Sequence, residues 1–360
     1  MIKVATVFSG IGSFEYALKR LGIEHNIVFA CDCGDRKIEL TDQEISYLHS
    51  FKDDLSRYKE VNRLYDRSKK PNRVKETYFS NYQIEEDKWF SDIRFVNGKP
   101  FCDKVDIFVG GSPCQSFSQM GKRKGLEDTR GTLFYDYARL IKEIQPKVFI
   151  FENVPGMLVH DKGRTWETIK KVFFSLGYDI HFEILNASDY GIPQLRKRLF
   201  VVGFKGIKKR KFKFPCKTPL LLEAKDFLES NIDPKYYFKK KGFQFVTNPK
   251  YSGRAKINST IIRTEKRNQQ FNWNGDFRFE KITEITNPEI LKSAFIGEYK
   301  GEKGVARKLT PRECHRLMGF GDDFIINKYD VDAYKQSGNS IVVNVLESLI
   351  NSILKTGELW

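Results

Sequence analysis

The chain lacks a run of about 18 apolar residues, the length that a membrane-spanning helix needs, although 40% of its 360 residues are hydrophobic. Its first residues, 1–5, lead straight into a predicted strand and lack the charged, apolar and small-residue segments of a secretory signal peptide. We therefore expect a cytoplasmic protein that has no membrane partner.

Cysteine is scarce and is not arranged for metal binding. The six cysteines stand at positions 31, 33, 102, 114, 216 and 314, and no two of them form a Cys-x-x-Cys pair. The Cys31-x-Cys33 pair has no second half at the spacing of a zinc site. We expect reduced thiols and no bound metal.

Acidic residues are outnumbered by basic ones, 46 against 62, which gives a net charge of +16. Such an excess indicates a polyanionic partner, of which nucleic acid is the usual example. Lys205 to Lys217 and Lys235 to Lys256 each hold seven basic residues and no acidic one. The second stretch also carries aromatic residues, a mixture that suits phosphate contacts and base stacking. A plain solvated basic face is the alternative.

The order of apolar segments predicts an α/β fold. Strand and helix patterns alternate over residues 1–204, which indicates a doubly wound, mostly parallel sheet. Residues 205–303 are basic, aromatic and irregular, and we predict that they form a smaller second domain. Residues 304–360 regain a helical pattern and are expected to return to the first domain. Residues 41–89 look like a charged, mostly helical insertion of unassigned role.

A glycine turn, Phe8-Ser9-Gly10-Ile11-Gly12, follows the first predicted strand and opens a helix. Nucleotide-like cofactors bind at such turns. Asp32 lies at the end of the next strand, where an acid can accept hydrogen bonds from ribose hydroxyls. These residues alone fit a cofactor site and a plain tight turn equally well.

A second segment, Gly110 to Ser118, follows a short apolar strand, so Cys114 is expected beyond the carboxyl end of that strand. Glu152 follows the next strand in the same way. A lone cysteine is usually a buried core thiol, but Cys114 stands between Pro113 and Gln115 in a polar loop. The sequence therefore brings two reactive side chains to one crevice.

Several blocks of sequence occur in the order typical of one family, across roughly three-quarters of the chain, and through them the chain resembles the DNA cytosine-5 methyltransferases. The resemblance implies a Rossmann-like fold that uses S-adenosylmethionine, with a smaller target-recognition domain. The blocks are Phe8-x-Gly10-x-Gly12, Pro113-Cys114-Gln115, Asp128-Thr129-Arg130-Gly131-Thr132-Leu133, Glu152-Asn153-Val154, Gln194-x-Arg196-x-Arg198, Arg307-Lys308-Leu309-Thr310-Pro311-Arg312-Glu313 and Gln336-Ser337-Gly338-Asn339-Ser340.

The resemblance implies covalent catalysis by Cys114. Carbon 5 of cytosine is too weak a nucleophile to take a methyl group unaided, and a thiolate that adds to carbon 6 makes it enamine-like. Glu152 is then the residue that bonds the ring nitrogen and amino group, and Arg198 holds the carbonyl oxygen, with Arg196 supporting the same pocket. A base within a duplex cannot reach Cys114, so the target cytosine must be flipped out.

The resemblance also implies a donor site that binds S-adenosylmethionine and releases S-adenosylhomocysteine. One departure is Cys33, where the family usually places a larger apolar residue against the adenine. The implied donor contacts are Phe8, Gly10, Gly12, Asp32, Asp92, Ile93, Leu133, Asn339 and Ser340.

Double-stranded DNA is the implied partner. The stretch from Ser118 to Arg130 resembles the family's mobile loop, with Ser118, Lys122, Arg123 and Lys124 as DNA contacts. In the predicted recognition domain, Arg254, Thr260 and Arg263 are candidate contacts. Further candidates for base readout are Lys266, Arg267, Asn268 and Gln269. The DNA sequence that they recognise is not predicted.

Three other classes of protein fit these residues less well. A tRNA-modifying relative would carry a Cys-Phe-Thr tripeptide, which does not occur here. An inactive relative would be expected to lose Cys114, Glu152 or Arg198. A nicotinamide-dependent dehydrogenase does not explain Pro113-Cys114-Gln115. The layout is typical of a bacterial or phage modification enzyme, for which a monomer suffices and a separate cognate restriction endonuclease is an open possibility.

Overall fold

The computed structural model describes residues 1–36, 38–112, 133–206, 212–268 and 270–359. Contacts between residues divide the chain into two compact units. The first unit comprises Met1–Leu185, Lys197–Cys216 and Leu346–Trp360, and the second comprises Asn186–Arg196 and Lys217–Val345.

The strands alternate with helices, and short 3-10 turns such as Ile93–Phe95 lie between them. The strands are β1 (Ile2–Val7), β2 (His25–Cys31), β3 (Trp89–Phe90), β4 (Ile107–Gly110), β5 (Val148–Asn153), β6 (Tyr178–Asn186), β7 (Gln194–Leu195), β8 (Lys197–Lys205), β9 (Lys256–Ile257), β10 (Ile262–Arg263), β11 (Asp276–Lys281), β12 (Gly297–Tyr299) and β13 (Glu302–Arg307). The helices are α1 (Ser13–Arg20), α2 (Asp42–Ser50), α3 (Asp54–Asp66), α4 (Arg73–Asn81), α5 (Leu133–Ile144), α6 (Arg164–Ser175), α7 (Lys240–Val246), α8 (Pro288–Ser293), α9 (Pro311–Arg316), α10 (Asp330–Asn339) and α11 (Val343–Leu354).

The first unit is built on a seven-stranded sheet of order β3-β2-β1-β4-β5-β8-β6. The pairs β3–β2, β2–β1, β1–β4 and β4–β5 are parallel, whereas β8 runs antiparallel to β5. This is the predicted α/β architecture with a mostly parallel sheet.

Helix α5 covers part of the sheet with its apolar face. Its apolar residues recur at helical spacing, and Phe134, Tyr137 and Ile141 are fully buried. Tyr137 stacks on Phe108 of β4 with 5.0 Å between the ring centres. The apolar residues that recur at helical spacing therefore form one face of α5, and this face packs against the sheet.

The second unit contains a four-stranded sheet of order β12-β13-β11-β9 and a short parallel pair, β7 with β10. A buried ion pair joins its last strand to the helix that follows. Arg307 at the end of β13 donates to both carboxylate oxygens of Glu313 on α9, at 2.8 and 2.9 Å. Glu313 also completes the capping box of α9 with Thr310, as the spacing of those residues predicts.

The two compact units have bounds different from the predicted 1–204, 205–303 and 304–360. Residues 186–196 and most of the segment after 303 have their contacts within the second unit. The reason is that Arg307, Glu313 and the short strand β7 are bonded to second-unit neighbours. The functional roles of the three predicted segments stay a prediction.

Among the helices of the described residues, none combines the length and the apolar character that a membrane crossing requires.

Gly203 of β8 offers a test of sheet packing. It pairs with Phe149 of β5, and a Cβ at position 203 would lie 2.0 Å from a ring carbon of Phe149, which is fully buried. We expect Gly203→Ala to lower the free energy of unfolding by about 1–3 kcal/mol, because the core is overpacked. Urea denaturation measures this change. The control is Gly156→Ala, where a Cβ meets no atom within 4 Å; equal midpoints for the two variants would contradict the packing argument.

Candidate active site

One row of paired residues crosses five parallel strands of the first unit and fixes where their loops begin. Phe90, Cys31, Val7, Gly110 and Phe151 are paired in sequence across β3, β2, β1, β4 and β5. The residues that follow this row leave the sheet at one edge, where ligands bind in such sheets. Those following residues include Phe8, Asp32, Gly111 and Glu152, so four of the sequence-predicted loops share this edge.

The glycine turn after β1 is a left-handed backbone segment. Phe8, Gly10 and Gly12 have φ of 53°, 56° and 81°. The Gly10 N–H donates to Oδ2 of Asp32 at 2.9 Å, and the Gly34 N–H donates to Oδ1 at 2.7 Å. Burial raises the pKa of Asp32, and these two bonds oppose the rise. A Cβ at Gly10 would meet no atom of the described residues within 4 Å, so these residues leave space beside Gly10.

The loop after β3 carries the other predicted donor contacts of the first unit. Asp92 is buried, and its carboxylate accepts from the backbone N–H and the guanidinium of Arg94, and from the Tyr65 hydroxyl at 3.1 Å. Ile93 is buried in the core, and Leu133 at the start of α5 is half-buried against that core. Asp92 is therefore already engaged by protein groups.

At the end of β5, Glu152 and Arg198 form an ion pair. Nε of Arg198 lies 3.0 Å from Oε1 of Glu152, and the two side chains are only 18% and 16% exposed. Gly111 packs directly against the acid, since a Cβ there would lie 2.7 Å from the Glu152 carbonyl oxygen and 2.9 Å from Oε2. Glycine is therefore needed at position 111, three residues before the predicted nucleophile Cys114, to leave room for Glu152.

The next residue, Asn153, holds the beginning of the nucleophile segment. Its Nδ2 donates to the carbonyl oxygen of buried Ser112 at 2.8 Å. Ser112 is the last described residue before Pro113. The predicted nucleophile and loop contacts, Cys114, Ser118, Lys122, Arg123 and Lys124, lie outside the described residues.

Comparison with known proteins places these features in one family. A sequence profile described as C-5 cytosine-specific DNA methylase matches residues 60–355. The Type II methyltransferase M.SsoII of Shigella sonnei is 39% identical over 292 residues, which are 79% of this chain and 72% of that protein. This chain belongs to the C-5 cytosine-specific DNA methylase family.

Other relatives agree with this assignment. The Type II methyltransferase M.HhaI of Haemophilus parahaemolyticus is 35% identical over 287 residues, which are 78% of this chain and 84% of that protein. The solved structure of S. pombe Dnmt2 methyltransferase has a TM-score of 0.67 and 21% identity and covers 99% of both chains, a likeness that shows the fold alone. The methylase transfers a methyl group from S-adenosylmethionine to carbon 5 of cytosine in DNA. The predicted family, fold class and activity are confirmed.

Arg196 of the methylase is buried within the second unit, where its side chain joins separate segments of the chain. Its guanidinium donates to the carbonyl oxygens of Glu265, Gly338 and Ser340, at 2.8, 3.0 and 2.7 Å. Asn339, the last residue of α10, is exposed. The arginine thus ties the segment that carries Asn339 and Ser340 to the strand β7 region. Its part in the cytosine pocket stays a prediction.

The predicted DNA contacts differ in their exposure and in how far their side chains are bonded to other protein groups. Arg254 and Thr260 are exposed, and the Arg254 guanidinium lies over the ring of Phe245, 5.3 Å from its centre. Arg263 instead pairs with Asp276 at 3.2 Å and donates to three backbone carbonyl oxygens. The guanidinium of Arg263 is therefore directed into the unit, which favours a structural role over the DNA contact that the sequence indicates.

Three residues of the site went unassigned in the sequence interpretation. Asn153 stands within the Glu152-Asn153-Val154 block, so the motif itself could have drawn attention to it. Tyr82 and Asn72, which contact the donor loops, carry no local signal because their partners lie 70 and 40 residues away in the sequence.

A buried acid near Arg196 gives a pH prediction. Burial raises the pKa of Glu265 to about 8, and its interactions with Cys314, Arg196 and Ser337 oppose this only in part. The folded protein therefore keeps a proton that the unfolded chain loses between pH about 4.5 and 8, so this group's contribution to stability falls as pH rises through that window.

We expect Glu265→Gln to remove this dependence, because the amide stays neutral. Urea unfolding from pH 5 to pH 9 should show the variant gaining stability over the parent protein as pH rises. Other acids titrate in both proteins, so the difference between the two curves isolates position 265. A difference that stays constant across this range would show that Glu265 does not titrate there.

Proposed function

We propose that the methylase acts through a covalent adduct between Cys114 and a cytosine that is flipped out of duplex DNA. The observation that carries this proposal is the Glu152–Arg198 pair beside Gly111. The pairing edge of cytosine offers an acceptor oxygen, a ring nitrogen and an amino donor. A guanidinium and a carboxyl group side by side complement that edge, with Arg198 donating to the oxygen and Glu152 bonding the nitrogen and the amino group.

Glu152 also has the surroundings of a proton-transfer group. The side chain is mostly shielded from water, and Arg198 fixes the carboxyl group from one side. In the proposed reaction, Cys114 adds to carbon 6 while Glu152 assists protonation at the ring nitrogen, and positive charge nearby helps the thiol to ionise. Asn153 supports this step because it anchors the carbonyl of Ser112, two residues before Cys114.

The donor-site residues fit S-adenosylmethionine, which supplies the methyl group when it is bound. Phe8, Gly10 and Gly12 would lie along the methionine end, where there is space beside Gly10. The aromatic ring of Phe8 would attract the sulfonium cation. Asp32 would accept from the ribose. The remaining proposed contacts are Asp92, Ile93, Leu133, Asn339 and Ser340.

Double-stranded DNA is the proposed substrate, and the second unit is proposed to read it. Its exposed basic groups, such as Arg254, which lies over the half-buried ring of Phe245, suit contacts with phosphates. The relatives M.SsoII and M.HhaI are named Type II methyltransferases. We propose the corresponding role in restriction and modification for this chain, acting as a monomer, with a separate endonuclease as the matching partner.

The covalent assignment is tested with Cys114→Ala and Glu152→Gln. We expect Cys114→Ala to keep DNA and donor binding and to lose methylation, and Glu152→Gln to slow turnover by about 10²–10⁴-fold because proton assistance is lost. The measurement is methylation of a mixed-sequence plasmid, read by bisulfite sequencing, where the parent protein should mark one short motif. Substantial turnover by Cys114→Ala would exclude the covalent route, and methylation of structured RNA alone would exclude duplex DNA as substrate.

The two arginines of the second unit should respond differently to removal. We expect Arg254→Ala to weaken DNA binding and to reduce the slope of log K against log salt by about 0.9, because one phosphate contact is lost. Arg263→Ala should instead lower thermal stability, because the buried side chain of Asp276 loses its charged partner. Binding titrations at several salt concentrations and thermal melts distinguish the two. An unchanged salt slope for Arg254→Ala would remove that residue from the DNA face.

A further inference from the structure

Helix α4 lies in the segment 41–89, for which no role is predicted from the sequence, and both of its ends reach the proposed donor loops. Asn72 is the N-cap residue of the helix and Tyr82 is its C-cap residue. Each of them donates a side-chain hydrogen bond to a backbone carbonyl oxygen of a different donor loop. The loops are those that follow β1 and β2.

The C-terminal end of α4 holds the glycine turn. The Tyr82 hydroxyl donates to the carbonyl oxygen of Gly12 at 2.5 Å. The ring is so close that a Cβ at Gly12 would overlap it, with ring carbons at 2.2 and 2.7 Å. Gly12 therefore has two reasons to be glycine, its φ of 81° and the ring of Tyr82.

The N-terminal end of α4 holds the Asp32 loop. Asn72 donates from Nδ2 to the carbonyl oxygen of Asp32 at 3.0 Å, while its Oδ1 accepts from the Lys75 N–H and caps the helix. Asn72 is buried, and a Cβ at Gly34 would overlap its amide group. The same side chain thus starts the helix and fixes the loop that carries the proposed ribose acid.

The middle of the helix is fastened to the same region. Tyr78 is fully buried, and its hydroxyl donates to Oε1 of Glu15 at 2.7 Å. Thr6 of β1 donates to the same oxygen at 2.8 Å. Because Glu15 is in the first turn of α1, the helix that the glycine turn opens, α4 is connected to both sides of that turn.

We propose that α4 is a brace for the donor site, and that Asn72 and Tyr82 are positioning residues for S-adenosylmethionine. The inference rests on the proposed donor site. The turn after β1 has three left-handed residues within five positions, a conformation that surrounding contacts must hold. A loop already held in its binding conformation loses less freedom when the ligand binds, so the brace raises donor affinity without touching the donor.

The experiment compares Tyr82→Phe, Asn72→Ser and the double variant in the full-length protein. Phenylalanine keeps the ring and removes only the hydroxyl bond. Serine can still cap a helix but is too short to keep the bond to Asp32. Controls are Tyr58→Phe, whose hydroxyl accepts from the Asn97 N–H, and Ser80→Ala, an exposed residue of α4.

Isothermal titration with S-adenosylmethionine and with S-adenosylhomocysteine gives the dissociation constants. We expect each single variant to bind about three- to tenfold more weakly, which is the effect of one lost hydrogen bond, and the double variant to show about the product of the two changes. The KM for the donor should rise in proportion, whereas kcat at saturating donor and the affinity for DNA should stay within about twofold of the parent.

The outcomes separate this inference from the donor site itself. If the parent protein bound no donor, the proposed donor site would fail. If the parent bound donor and both variants matched it, only the brace would fail. Equal weakening in the control variants, or a loss of kcat with an unchanged KM, would show general damage to the fold and would also overturn the brace.

Discussion

The register of the parallel strands is the constraint on which the first unit depends. Because Phe90, Cys31, Val7, Gly110 and Phe151 are paired in one row, every loop that starts after them starts at the same edge. A shift of one residue in any strand would turn its side chains to the other face of the sheet. The donor loops and the Glu152–Arg198 pair are therefore brought to one edge by backbone hydrogen bonds, and the side chains only refine the arrangement.

The second unit depends instead on buried charge. Arg307 is about 1% exposed, and it pairs with Glu313 and Glu280. Removing one member of such a buried pair leaves an uncompensated charge, which is strongly destabilising. Arg196 works in the same way with neutral partners, since it satisfies three carbonyl oxygens that would otherwise need other donors. Residues of two of the sequence blocks, Arg307 with Glu313 and Arg196, thus hold segments of the second unit together.

The sequence predicted elements well where one face is apolar and poorly where the pattern is mixed. Helix α5, Leu133–Ile144, follows from the sequence because its apolar residues recur at helical spacing over its whole length. Strand β6 was not predicted, since it is at the edge of the sheet and most of its side chains are not buried. Ser340 lies just before the last helix, where a serine favours an N-cap, but its hydroxyl donates to the Gln336 carbonyl and it is the C-cap of α10. Contacts such as that of Tyr82 with Gly12 depend on the folded chain.

Phe8 has an unfavourable backbone conformation in the glycine turn after β1. A bulky residue with φ of 53° is in a backbone region that glycine would occupy with less strain. Glycine at this position would relax the backbone, but the aromatic ring, which packs against the core of the first unit, would be lost. On the proposed donor role of Phe8, the position is a local compromise between stability and activity, in which a more relaxed backbone would come at the expense of donor binding.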